Sequence, residues 1–351
     1  MGLITHRDQS IDIARGIAII AIVLGHVLRG LGSAGIVDDE SEVFLTADRF
    51  FYAFHLPVFA FVGGLFLGSA VERDGTRTYL WRRNSLFIYL YVVWSLLQGA
   101  VRLLTSSVVN EPTSPLEVLS LWLPEGQLWF LPFLVVVTTA AALARGWRSP
   151  QAAALSVLIA AVVSVAVWGL NGSYAGTQGL GLAVFFFAGA ALGAKRFIAF
   201  NRRESSTGAL AIGLLSTGAF VALTTLTPLT PPTSDGGDRD AVTVGLGVAA
   251  SCLGVVAVLA IAKLLALGNE RMRWLSFIGE RSLEIFLAHI IAGSGTRIVL
   301  ALAGVSDPTV HIVVGTLAGV VLPLILWSLM RRLRFPWLFD IPRRQKVAAL
   351  R

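Results

Sequence analysis

Long apolar runs follow one another along almost the whole chain, separated by short clusters of charge, proline and glycine. Ten of them lie near 13–31, 50–71, 84–105, 127–144, 151–169, 178–194, 208–227, 241–266, 283–303 and 310–330. Each approaches the roughly 20 apolar residues that a helix needs to cross a bilayer core. The pattern predicts an all-α polytopic membrane protein with about ten transmembrane helices. No connection is long enough for an independent soluble domain. Residues 1–351 are therefore expected to form a single membrane-embedded domain, with its core at about 7–331 and a basic tail at 332–351. The first run is longer than a signal-peptide core and has Asp12 and Arg15 at its entrance, which reads as an uncleaved first helix.

Charge changes this picture by giving it a direction. Alternate connections divide into two sets, one carrying 22 of the Lys and Arg residues and the other 3. The basic set includes both chain ends, so the positive-inside rule predicts cytoplasmic N- and C-termini; the Ala-, Gly- and Arg-rich usage points to a bacterium, and so to its inner (plasma) membrane. A net charge of +7 and a pI near 10.2 then describe a basic cytoplasmic face suited to anionic membrane lipids. Nucleic-acid binding would need a basic groove with stacking aromatics, which the sequence lacks. With 55% hydrophobic and 14% charged residues, the chain has too little charge to cover a water-soluble surface. One cysteine, Cys252, excludes a disulfide framework or a cysteine-based metal site within one chain. No metal site is expected.

Ionisable groups inside the runs carry the chemistry, since each costs about 3 kcal/mol or more to place there. Arg15 and His26 stand eleven residues apart on the first helix. That is three turns plus about 20°, so they share one face roughly 16 Å apart along the axis. Asp12 is one turn from Arg15 and can pair with it. In the second run His55 is followed by Pro57, which removes a helix hydrogen bond and favours a kink beside the histidine. Gly126-Gln127-Leu128-Trp129 opens the fourth run, and Trp129 occupies the position of an interfacial anchor. Glu284 and His289 lie in the ninth run, about 140° apart around the helix, with Arg281 one turn before Glu284. Structural readings compete at every position: a snorkelling arginine, packing histidines, an interfacial tryptophan, a local ion pair. His311, near the outer end of the tenth run, reads as peripheral, and His6 has no role.

The first helix resembles the Arg-x10-His signature of the acyltransferase-3 family of integral membrane acyltransferases, here Arg15 to His26. The segment Phe50 to Pro57 resembles the second-helix motif of the fucose 4-O-acetylase-like branch, and Leu128 to Leu131 and Ser282 to His289 are similar to two later family blocks in the right order. This resemblance implies an enzyme, an O-acyltransferase that takes an acyl group, usually acetyl, from cytosolic acetyl-CoA. The acceptor it implies is a hydroxyl of a surface sugar, polysaccharide or glycolipid. His26 would be the catalytic histidine and Arg15 its essential partner, with Asp12 holding Arg15. A neutral histidine suits the task, because a sugar hydroxyl attacking a thioester needs a general base that works near neutral pH. Arg82 and Arg83, at the inner mouth of the third run, are candidates for the phosphates of the donor, though plain positive-inside anchoring explains them equally well. His55, Trp129, Glu284 and His289 are candidates for shaping the acceptor side. Acyl-CoA is a substrate here, and no tightly bound cofactor is implied.

A proton-coupled secondary transporter or flippase would also use intramembrane Asp, Glu and His. Such carriers show matching broken helices in two halves, and 1–175 has no match in 176–351. A non-catalytic scaffold would make His26 replaceable without functional loss.

Overall fold

A backbone in hydrocarbon must satisfy its own N–H and C=O groups, so each apolar run has to coil into helix. The computed structural model describes residues 8–104, 114–233 and 239–342, and these are all-helical. Arg7, at the start of the expected core, and residues 343–351 of the expected tail lie outside the described residues. In chain order the helices are α1 (Gln9–Ser33), α2 (Glu42–Leu65), α3 (Leu67–Asp74), α4 (Thr76–Leu104), α5 (Pro115–Leu119), α6 (Phe130–Ala144) and α7 (Pro150–Ala166). They continue as α8 (Ala183–Leu192), α9 (Ala194–Arg203), α10 (Ser206–Leu226), α11 (Ala241–Ala266), α12 (Arg273–Glu280), α13 (Ser282–Leu302) and α14 (Pro308–Arg332). The chain is a polytopic membrane protein.

Among the described residues, eight segments are long and apolar enough to cross a membrane, and the bent pair α8–α9 brings the number to 9 if it counts as one span. The difference from ten lies in the fifth and sixth runs. The fifth folds as α7, only 17 residues long. The sixth begins late, after Gly179 in a left-handed conformation (φ 74), and its helix α8 has 10 residues. At Gly193 (φ 72) the axis turns by 77° into α9, an amphipathic helix carrying Lys195, Arg196, Arg202 and Arg203. Positive φ is what makes glycine the residue at that corner.

Several helices start where short polar side chains satisfy the first free amides. Asp8 accepts from Ser10 N and starts α1 four residues before the apolar run, so Asp12 and Arg15 lie well inside the helix. Asp240 accepts from Val242 N and Thr243 N at α11, and those amides hold its carboxyl below the usual carboxylate range. Asp307 does the same at α14 through Thr309 N, with the same lowering.

The core forms around α1, which packs against α2, α11, α12, α13 and α14. Backbones approach through small residues, as expected where lipid removes the hydrophobic drive for helix association. A Cβ on Gly16 would overlap the carbonyl oxygen of Leu275, and one on Gly279 the carbonyl oxygen of Asp12, so α12 lies directly on the first half of α1. Gly64 and Gly189 form a matching pair between α2 and α8, each against the other helix's backbone. This central position of α1 fixes where its ionisable residues point.

Candidate active site

His26 and His289 meet. Their ring centres are 5.1 Å apart, one from α1 and one from α13. The two line one cavity together with Val27, Ser294, Arg297 and His311. Each histidine arrives by a different route. His26 stands on the Arg15 face of α1, with its ring against those of His289 and Tyr52. His289 is buried, and its Nδ1 lies 2.8 Å from the carbonyl oxygen of Phe286 and 3.1 Å from that of Ile285. Carbonyls only accept, so Nδ1 carries the proton and Nε2 is left as a lone pair. That Nε2 is buried without a partner. An imidazole held in one tautomer with a bare nitrogen beside a second imidazole is an arrangement able to move a proton.

Tyr52 of α2 joins the pair to His55. Its ring centre lies 6.2 Å from that of His26 and 4.7 Å from that of His55. His55 is buried, and Gly25, next to His26, leaves room for its ring. Beyond Tyr52 the guanidinium of Arg29 stacks 3.5 Å from the ring centre and binds Asp48 with two hydrogen bonds of 2.6 and 2.7 Å. The charge of Arg29 is therefore matched. Pro57 lies within α2. No group of three His, Cys, Asp or Glu among the described residues could hold a metal ion.

The other end of α1 forms a second polar cluster. Arg15 donates to Ser282 Oγ at 2.7 Å and sits 4.0 Å from the Asp12 carboxylate. Ser282 is the first residue of α13, so Arg15 ties the start of α13 to the start of α1. Glu284 pairs with Arg281 at 3.3 Å, which accounts for its charge locally. Arg82 donates to Asp74 at 2.7 Å, and Arg83 stacks over Phe87 at 4.5 Å, both exposed to their surroundings. Trp129 packs against Phe130, Phe133 and Gly179, and among the described residues makes no ring contact with a histidine.

Three residues gain weight from the structure. Gln127 is buried and donates to the Phe286 carbonyl at 3.4 Å, the oxygen that also receives His289 Nδ1–H. Gln98, also buried, on α4, donates to the next carbonyl, Leu287, at 3.2 Å. Amides inside apolar runs were the signal for both, since an unpaired one costs several kcal/mol in hydrocarbon. His311, read as peripheral from sequence, is buried in the wall of the histidine cavity. Its Nε2 sits 2.9 Å from the Val305 carbonyl.

A family model described as an acyltransferase domain, that of the acyltransferase-3 family, matches residues 8–328. Neither a curated protein nor a solved structure matches the chain.

Proposed function

The chain belongs to the acyltransferase-3 family, and from that premise we propose that it moves an acyl group, acetyl in the first instance, from cytosolic acyl-CoA to a hydroxyl of a surface sugar, polysaccharide or glycolipid. The observation that carries this reading is the meeting of His26 and His289 in one cavity, three turns along α1 from the Arg15 cluster.

His26 is the general base. The acceptor hydroxyl donates to it, and its oxygen attacks the thioester carbonyl as the proton moves to the imidazole. The carbon–sulfur bond then breaks, and the CoA thiolate recovers the proton from His26. While protonated, His26 is a cation in a site whose nearest basic partner is His289. The 5.1 Å between ring centres leaves room for one N–H···N hydrogen bond, and His289 Nε2 can only accept. His289 thereby stabilises the charged base without a carboxylate. His55, through Tyr52, closes the acceptor side, and Trp129 and Glu284 act at one remove by packing α6 and holding the start of α13. At the inner mouth, Arg82 and Arg83 meet the donor phosphates, while Arg15, held by Asp12 and Ser282, orients the arm that brings the thioester along α1.

Inside-out membrane vesicles containing the chain, given acetyl-labelled CoA and extracted glycolipid or polysaccharide, test this. Wild type should place label in a sugar fraction. His26→Ala should reduce the rate by about 10²–10⁴-fold, the range for losing a general base, and Arg15→Ala should reduce it at matched expression. Transfer that survives His26→Ala removes the proposed base. No transfer by wild type removes the activity.

A further inference from the structure

Two arginines share one indole where α14 ends. The guanidinium of Arg281, the residue just before α13, lies 4.1 Å from the ring centre of Trp327. That of Arg331, four residues after Trp327 on α14, lies 5.0 Å from the same centre. Phe277 of α12 steadies the indole edge to face, with 6.3 Å between ring centres.

These ring contacts hold both cations in place and leave charge unmatched. Glu284 pairs with Arg281 at 3.3 Å, but Arg281 Nε is buried without a partner, so this carboxylate does not saturate the guanidinium. Arg331 is exposed and meets no carboxylate among the described residues. Two guanidiniums on one ring repel each other, so an anion that meets both is held more tightly than by either alone. A planar fork fixed on an aromatic face has little freedom left to lose, and it matches the oxygens of a phosphate. The place fits as well. Ser282, next in sequence to Arg281, accepts from Arg15, whose cluster orients the donor arm in the proposed reaction.

We propose that Arg281 and Arg331, braced on Trp327, form a phosphate-binding site at the Arg15 end of the bundle. The nucleotide end of acyl-CoA and the headgroup of a phospholipid present the same oxyanion there. In the first case the site rests on the acyltransferase reading, and it adds to Arg83 and to Arg82, which is already paired with Asp74. Neither Arg281 nor Arg331 touches the reacting atoms.

The test uses the full chain in lipid nanodiscs and has two arms. Desulfo-CoA, which keeps the phosphates of the donor and lacks its sulfur, is titrated in discs of phosphatidylcholine. Arg281→Gln and Arg331→Gln should each weaken its binding about tenfold, as expected for a lost hydrogen bond between charged groups. Arg281→Lys and Arg331→Lys, which keep the charge, should recover part of that loss. In the second arm phosphatidylglycerol replaces part of the phosphatidylcholine, and the thermal midpoint is read. A headgroup in the site should raise the midpoint of wild type and not that of the Gln variants. A loss in the first arm assigns the site to the donor, and a loss confined to the second assigns it to a lipid. Wild type that answers to neither probe, or Gln variants that match it in both arms, overturn the site and leave the arginines as braces for Trp327. Gln and Lys variants weakened equally also overturn it, because packing on the indole depends on the shape of the guanidinium and phosphate binding on its charge. Desulfo-CoA binding that needs both arginines, in a chain that transfers no acyl group, keeps the site and overturns instead the acyltransferase reading.

Discussion

A histidine that gives Nδ1–H to a main-chain carbonyl has one use left for its other nitrogen. His289 is in this position, and the two buried amides of Gln98 and Gln127 hold the carbonyls of the same helical turn. Its value to the reaction is as an acceptor beside His26, so replacing it should weaken the base without removing it. His289→Phe, which keeps an aromatic ring but no lone pair, is expected to lower kcat by about tenfold, less than the 10²–10⁴ expected for His26→Ala. Donor KM should stay as in wild type, since the change is in stabilising the protonated base. Steady-state kinetics in vesicles decides it: a kcat equal to wild type would leave His289 as packing. At this scale the sequence was informative wherever helical period alone set the geometry. Arg15 and His26 are three turns apart on one face whatever surrounds them, and α1 keeps that spacing. Meetings between helices were hidden. The Arg281–Glu284 pair, three residues apart, was legible in the same way, but nothing in the spacing says that His289 comes to His26 or that Gln127 rather than Trp129 of the same motif touches the α13 backbone.

Elements meet here by backbone approach, and α12 is the instructive case. Its eight residues carry Arg273 and Glu280 and fall within a connection that charge assigns to the cytoplasm. Two turns are too few for a period to emerge, so its amphipathic burial of Leu275, Ile278 and Gly279 is invisible until α1 is beside it. The same holds for α7 and α8, whose apolar runs announced helices but not their shortness. Gly279 faces the carbonyl of Asp12, and Gly16 faces that of Leu275, with no space for a methyl group at either. Gly279→Ala must push α12 off α1 and with it the start of α13 that carries Ser282, the partner of Arg15. Overpacking of this kind costs about 1–3 kcal/mol. The expected result is a lower midpoint of thermal unfolding in lipid nanodiscs, together with reduced acyl transfer. A variant as stable and active as wild type would mean that α12 is free to slide and does not hold the Arg15 cluster.

For the whole molecule, the charge division along the chain and the placement of the two polar clusters bear on the same question. The Arg15–Asp12–Ser282 cluster stands toward the N-terminal end of α1, and Arg29, Arg297 and His311 stand toward its other end. The histidine pair lies between them, so donor and acceptor must come from opposite sides if each uses the nearer mouth. The 22-to-3 split of basic residues between alternate connections predicts that the Arg15 end faces the cytoplasm, where acyl-CoA is made. Single cysteines in a Cys252→Ser background read the orientation directly. Glu40→Cys, in the exposed connection after α1, should react with a membrane-impermeant maleimide in intact cells. Glu72→Cys, on the exposed face of α3, should react only in inside-out vesicles. The reverse labelling would put the Arg297–His311 end in the cytoplasm. A surface-sugar acceptor would then have no route to His26 from that mouth, and transfer across the bilayer would fail even with the acyltransferase chemistry intact.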